Sequence, residues 1–351
     1  MIYLLNIFPF IIYQMFAKGL ALPRYKKNVL YVVCATIHLA LFHSLRNPYV
    51  YPDNLIYGTF YYEIPAYTLK ELLIGSMGWE KGYVIYNYLL AQVFPSPEAL
   101  FITTSLFMTC GFMYLVYKWS YKPWLSVLIY ILHPMLFYTS LFVLRQHIAM
   151  IFILFALFYV NDFRKSIPLA VLGVLFHNSA LLFFPFLIWN RINLRTLTLK
   201  KLLIYGGGCV LFIRFSLVTI AMLISRYVHY LEKGSSNILP FMIISTLFFL
   251  HFILGSFKKA TDEKDIILFK FLSYGLIIVT CTLGLPFGRL TSYFIYIVPF
   301  LVPLLFKYGK TKNVKVIVLY ILLLFFLLMV NIYISFSPNS AFTLEYKFYW
   351  E

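Results

Sequence analysis

Residues 138–150 read YTSLFVLRQHIAM, an apolar run that breaks at Arg145 and Gln146 and then resumes. An arginine within such a stretch costs roughly 2.5–3.5 kcal/mol on membrane-insertion scales, so something must offset it. What surrounds the run sets the class. Of the 351 residues, 62% are hydrophobic, 21% aromatic and only 12% charged. That balance is too apolar for a soluble domain of this length and fits an all-α, polytopic membrane helix bundle. The formal net charge is +17. Nucleic acid is nevertheless the weaker reading, because the basic residues fall in short clusters between apolar segments, where they act as topology signals.

Spans of about 20 apolar residues, or fewer beside buried neighbours, are expected near 2–17, 28–44, 98–117, 123–142, 147–160, 202–223, 238–257, 266–285, 290–306 and 316–335. With half-membrane helices included, about 10 to 12 membrane segments follow. The run from Ser166 to Trp189 carries basic residues on both flanks, so it reads as a re-entrant or short hairpin over 166–190, with FHNSA (Phe176 to Ala180) at its tip. An outer loop occupies 45–97. The first apolar segment lacks a basic start and a small-residue cleavage site and reads as a retained helix. With no low-complexity linker and no internal repeat, one integral membrane domain over 1–351 is expected.

Charge supports this topology. The clusters at 18–27, 118–122, 164–165, 191–201, 258–264 and 307–315 are strongly basic and are joined on their face only by Asp162, Asp262, Glu263 and Asp265 as counter-charges. The opposite face balances its charges. The asymmetry assigns the basic face to the cytoplasm and both termini to the outside. Cys34, Cys110, Cys209 and Cys281 fall inside spans without metal-ligand spacing, so no disulfide framework, metal or cofactor is implied.

On this topology Arg145 lies in the first turn of an inward-running helix, whose unpaired N–H groups already carry partial positive charge. An anionic ligand is the simplest way to offset both. The same face holds His177 at the hairpin tip, Arg289 in GLPFGRLTSYF, Arg46 and Asp53 in SLRNPYVYPDNLIYGTFYY, and Glu80 in GWEKGY. Each has a plainer reading. Arg145 could snorkel to lipid headgroups, His177 could be a hydrogen-bonded residue in a bend, and Arg289 could mark a loop. Asp53 and Glu80 could be solvated carboxylates, and the tyrosines between Tyr49 and Tyr67 an interfacial aromatic belt. His38, His43, His133, His229 and His251 read as structural, and Arg214 and Lys270 as bundle-internal partners of unassigned role.

LRQHIA, followed about thirty positions later by FHNSA, resembles the paired signature of the EpsG family of membrane polysaccharide polymerases, a branch of the Wzy-type repeat-unit polymerases. The ordered set Arg46, Tyr49, Asp53, Tyr57, then Glu80 and Tyr83, then GRLTSYF and a terminal EYKFYW extends the resemblance over nearly the whole chain. His147 departs from the pattern, which calls for a smaller or apolar residue after Gln146.

The resemblance implies a fold similar to integral-membrane glycosyltransferases that use polyprenyl-phosphate donors, set in the bacterial inner (cytoplasmic) membrane with its site on the outer side. The implied substrates are undecaprenyl-pyrophosphate-linked oligosaccharides, as donor and as acceptor, with a chain-length regulator as a further partner and no nucleic acid. The product would be an extracellular, capsular or O-antigen polysaccharide. Loss of a pyrophosphate needs fixed cations more than a protonating acid, for which Arg145, Arg289 and Arg46 are the candidates. The acceptor hydroxyl needs a base, for which His177 is the candidate, with Asp53 or Glu80 as orienter or alternative. Gln146, His147, Asn178 and Tyr293 are supporting polar groups. A single displacement would invert the anomeric carbon, unlike the carboxylate pair of glycoside hydrolysis.

Three competitors share parts of this pattern. A flippase for lipid-linked oligosaccharide would need a polar path through the bilayer, whereas here the costly residues gather at one face and only Arg214 and Lys270 lie deeper. A ligase moving finished glycan to another acceptor differs only in that acceptor. An acyltransferase acting on outer-face sugars is the most distant.

Overall fold

The computed structural model describes residues 7–74, 78–193, 238–285 and 288–309, with scattered positions between 196 and 219 and positions 326, 329, 347 and 348. The span expected at 316–335, most of that at 202–223, His229, and the EYKFYW stretch apart from Lys347 and Phe348 lie outside the described residues. Among the described residues every regular element is helical, and the only extended pairing is an isolated antiparallel bridge between Arg46 and Phe348. The fold is all-α. The chain divides into two compact units, one of residues 1–180 with 317–351 and the other of residues 181–316.

The first unit opens with α1 (Phe8–Gly19) and α2 (Arg24–Ser44), the latter starting directly after Pro23. The outer-loop region folds into short helices: α3 (Pro52–Glu63), α4 (Leu69–Ile74) and α5 (Lys81–Val93). Thr68 and Glu71 close a capping box at the start of α4. The Thr68 amide and hydroxyl donate to the Glu71 carboxylate at 2.7 and 2.8 Å, and the Glu71 amide returns a bond to the Thr68 hydroxyl. Those bonds, chiefly the one from the Thr68 backbone, hold the Glu71 carboxyl below its ordinary range.

Next come α6 (Glu98–Trp119), α7 (Pro123–Leu132), α8 (Leu144–Phe158) and α9 (Phe163–Phe176). Helix α6 carries Glu98 in its first turn and Lys118 in its last, both suited to the helix dipole. It alone among the described helices is long and apolar enough to cross a membrane unaided. The single span expected at 123–142 is instead broken. His133 precedes Pro134 and takes the extended backbone that a following proline favours, its ring Nδ1 accepts the Met135 amide, and the chain turns by 72°. A π-turn (Pro134–Tyr138) and a 3-10 turn (Thr139–Leu141) then lead into α8, so Arg145 is the second residue of a helix.

In this unit α8 packs on α9 and on α6, α2 packs on α6, and α5 packs on α9. Two glycines permit close approach to the backbone of a neighbouring helix. A Cβ at Gly82 of α5 would lie 2.7 Å from the Leu175 carbonyl oxygen of α9, and one at Gly173 of α9 would lie 3.3 Å from the Ala149 carbonyl oxygen of α8. The first residues of α5 and α8 and the last of α9 therefore meet at one end of a three-helix group.

The second unit contains α10 (Phe183–Trp189), α11 (Ile238–Ile253), the single turn α12 (Ser256–Lys259), α13 (Glu263–Cys281), α14 (Gly288–Ile295) and α15 (Val298–Tyr308). Helix α13 packs on α11, α14, α15 and α10. The span expected at 290–306 is α14 and α15, bent by 42° ahead of Pro299. Lys307 binds both Asp262 and Asp265, and the Tyr308 hydroxyl donates to Asp265 at 2.5 Å, joining the end of α15 to the start of α13.

Candidate functional site

The offset for Arg145 is a carboxylate and a set of rings. Its guanidinium donates to the Glu80 carboxylate, and the two side chains are only 19% and 10% exposed. The guanidinium carbon lies 4.4 Å from the centre of the Trp79 ring and 5.9 Å from those of Tyr57 and Tyr83. Phe60 stacks on Trp79 at 5.1 Å, closing the aromatic wall. Desolvated cation–π contacts of this kind contribute about 2 kcal/mol. The elements that build the box are local. Gly78 takes a positive φ of 75°, which L side chains rarely adopt, and turns the chain so that Trp79 and Glu80 precede the first turn of α5. Tyr57 comes from α3 and Tyr83 from α5.

His177 ends α9 in extended backbone and is nearly buried. Its Nδ1 lies 2.6 Å from the Ser179 hydroxyl and accepts a longer bond from the Ser179 amide at 3.3 Å. Because Leu175 abuts Gly82, His177 comes out beside the segment that carries Glu80. His147, one turn into α8, is buried; its Nδ1 donates to the Val143 carbonyl at 2.7 Å, and its Nε2 lies 3.1 Å from the Thr139 hydroxyl.

Arg46 occupies a different cluster in the same unit. It is 2% exposed and donates to the His43 carbonyl, to the Ser105 hydroxyl at 2.9 Å and to the Leu141 carbonyl at 2.7 Å. Asn54 donates to that same Leu141 carbonyl at 3.0 Å. His43 lies within 3.0 Å of the Thr109 hydroxyl and 2.9 Å of the Ser140 hydroxyl and stacks on Phe137. The Asn47 amide donates to the Lys347 carbonyl beside the Arg46–Phe348 bridge, which ties part of the terminal aromatic stretch to this point. The carbonyl that Arg46 and Asn54 grip lies four residues before Arg145.

The other expected residues are dispersed. Asp53 is exposed in the first turn of α3, one turn before Tyr57. Gln146 is buried at the start of α8, and Asn178 is exposed after His177. Arg289 and Tyr293 belong to the second unit, Arg289 exposed near the start of α14 and Tyr293 buried in the same helix. Among the other histidines, His38 meets the Tyr13 hydroxyl, and His251 meets Ser256 and the Leu301 carbonyl. Arg214 donates to the Leu283 carbonyl at 2.8 Å, just past the end of α13. Trp79, Ser179 and Asn54 were not singled out from the sequence. Each stands near a residue that was, Trp79 next to Glu80, Asn54 next to Asp53, and Ser179 two residues from His177 in FHNSA.

Short, bent and apolar helices, with a largely enclosed arginine paired to a carboxylate where two of them begin, suit a helical membrane protein. The chain belongs to the EpsG family, whose model matches residues 29–348. EpsG is a Wzy-type polymerase-like family, so the function is polysaccharide-polymerase-like, of the glycosyltransferase kind, with lipid-linked oligosaccharides as the general substrates. Comparison with curated proteins and with solved structures gives no match.

Proposed function

We propose that this protein joins undecaprenyl-pyrophosphate-linked repeat units into a long polysaccharide at the outer face of the bacterial inner membrane, by inverting transfer of the growing glycan from its lipid carrier. The observation that supports this reading is the pairing of Arg145 with Glu80 at the starts of α8 and α5, with the Gly82–Leu175 contact setting the end of α9, which His177 follows, against the start of α5.

In the resting state Glu80 holds Arg145 in place. A diphosphate carries more charge than one carboxylate and is met by Arg145 together with the amides that open α8, so it displaces Glu80 and gains the cation as the leaving group departs. The released carboxylate stays beside the acceptor path. His177 takes the acceptor proton at Nε2 after its ring gives up the long Ser179 amide bond and carries hydrogen on Nδ1, donated to the Ser179 hydroxyl. The acceptor oxygen bonds to the anomeric carbon, the bond from that carbon to the pyrophosphate oxygen breaks, and configuration inverts. Asp53 is an alternative orienter from α3. Gln146, His147 and Asn178 are proposed as supporting groups. Arg46, with its three protein acceptors, acts as a positioning residue that holds the approach to α8.

The test is made in the host. Arg145→Ala and His177→Ala should leave inserted protein while single repeat units accumulate on the lipid carrier outside. Long polymer made at the normal rate by either variant removes that residue's role. Repeat units that build up unflipped on the inner side after deletion of the protein would favour a transporter instead.

A further inference from the structure

Lys270 lies two turns into α13, in a helix that is otherwise apolar from Ile266 to Ile278 apart from small and aromatic polar groups. A lysine at that depth needs an offset. Its ammonium donates to the carbonyl of Asn190, just after α10, and among the described residues it makes no ion pair. The nearest acidic residue on its own helix, Asp265, is already held by Lys307 and Tyr308. Beside Lys270 is a cavity of about 320 Å³ within the second unit, with Arg191 and Asn193 on its polar side and Phe257, Ile266 and Phe269 on its apolar side.

Two cations and an amide facing an apolar wall match a phosphate that carries hydrocarbon. A bare ion would gain nothing from the wall, and a zwitterionic lipid would bring a second positive charge, its choline, up to two cations. Two of the lining residues open or precede basic stretches of the sequence, Arg191 that at 191–201 and Phe257 that at 258–264, the kind of stretch with which a membrane protein meets its inner-leaflet headgroups. From this juxtaposition we infer that the cavity binds the phosphodiester headgroup of an anionic phospholipid, with Lys270 and Arg191 on its oxygens and an acyl chain along Phe257 and Phe269. The site is independent of polymer synthesis at the other cluster.

The full-length protein in detergent, titrated with phosphatidylglycerol or phosphatidylcholine and read by native mass spectrometry, tests it. Wild type should retain phosphatidylglycerol preferentially. Each cation near a headgroup contributes about 1 kcal/mol, so Arg191→Gln with Lys270→Gln should weaken retention roughly 30-fold, while Lys270→Arg keeps most of it. Ile266→Glu, which supplies an internal carboxylate and leaves both cations in place, should give the same loss and serves if the double variant does not fold. Inorganic phosphate should give no thermal shift. Equal retention of the two lipids, or unchanged retention in both the double variant and Ile266→Glu, overturns the proposal. A thermal shift by phosphate that the double variant abolishes makes this a simple ion site and overturns the lipid assignment.

Discussion

Gly82 and Leu175 are in backbone contact: a Cβ on the glycine would lie 2.7 Å from the Leu175 carbonyl oxygen and 2.7 Å from its Cβ. This contact sets the start of α5, and with it Glu80, against the end of α9, and with it His177. Because the obstructing atoms include backbone, Gly82→Ala must push the two helices apart. Overpacking of this kind costs about 1–3 kcal/mol. The variant is expected to insert, to melt at lower temperature in detergent, and to lose polymer synthesis by more than the fall in folded protein explains.

The pairing of Arg145 with Glu80 separates stability from chemistry. Removing one member of a buried ion pair leaves an uncompensated charge and costs about 3 kcal/mol. Glu80→Gln and Arg145→Gln should therefore each destabilise the protein, and the double variant should recover most of that loss because no charge is stranded. Polymer synthesis should stay absent in the double variant. Recovery of synthesis together with stability would show the pair to be purely structural. Trp79→Phe should be milder than Trp79→Ala, since a ring under the guanidinium is kept.

Arg46→Lys tests the clamp on the Leu141 carbonyl. One ammonium cannot reproduce a planar fork that spans the Ser105 hydroxyl and the carbonyls of His43 and Leu141. Hydrogen bonds from charged groups are worth about 1.5–3 kcal/mol each, so losing one of them is measurable. Amide exchange in 134–143 should accelerate while exchange in α6 stays slow. Uniform acceleration through the unit would mean that Arg46 holds the whole fold and not that approach in particular.

Ser179→Ala removes the hydroxyl 2.6 Å from the His177 Nδ1 and leaves the weaker amide contact, which favours hydrogen on Nε2. A base that needs its Nε2 lone pair then works less often. General-base contributions are about 10²–10⁴-fold, so a loss approaching ten-fold in turnover with lipid-linked substrate affinity retained is expected. Ser179→Thr should restore it. A change confined to affinity would place His177 in binding and not in proton transfer.

The helical class was legible because hydropathy is a local property and the breaks are local too. His133–Pro134 and Pro299 mark both bends, although 123–142 and 290–306 each read as one span when apolarity alone was counted. The start of α8 was legible from Arg145 itself. The counter-charge was not: Glu80 is 65 positions away, and nothing in GWEKGY distinguishes a carboxylate bound to a guanidinium from one in water. The surroundings of Arg46 were no more legible, since its acceptors are two backbone carbonyls and a distant serine, none of which sequence marks.

Composition and the order of its motifs alone made this chain an apolar helical membrane protein of the EpsG family, with costly polar groups at helix ends, since each of those follows from residues close together along the chain. Tertiary packing decided which of them face one another. Arg145 meets Glu80 and the aromatic box, Arg46 is enclosed among backbone carbonyls, and His177 arrives beside α5 only because Gly82 lacks a side chain. Such contacts depend on how closely helices distant in sequence can approach, and that distance is fixed by atoms filling space, not by the character of either segment.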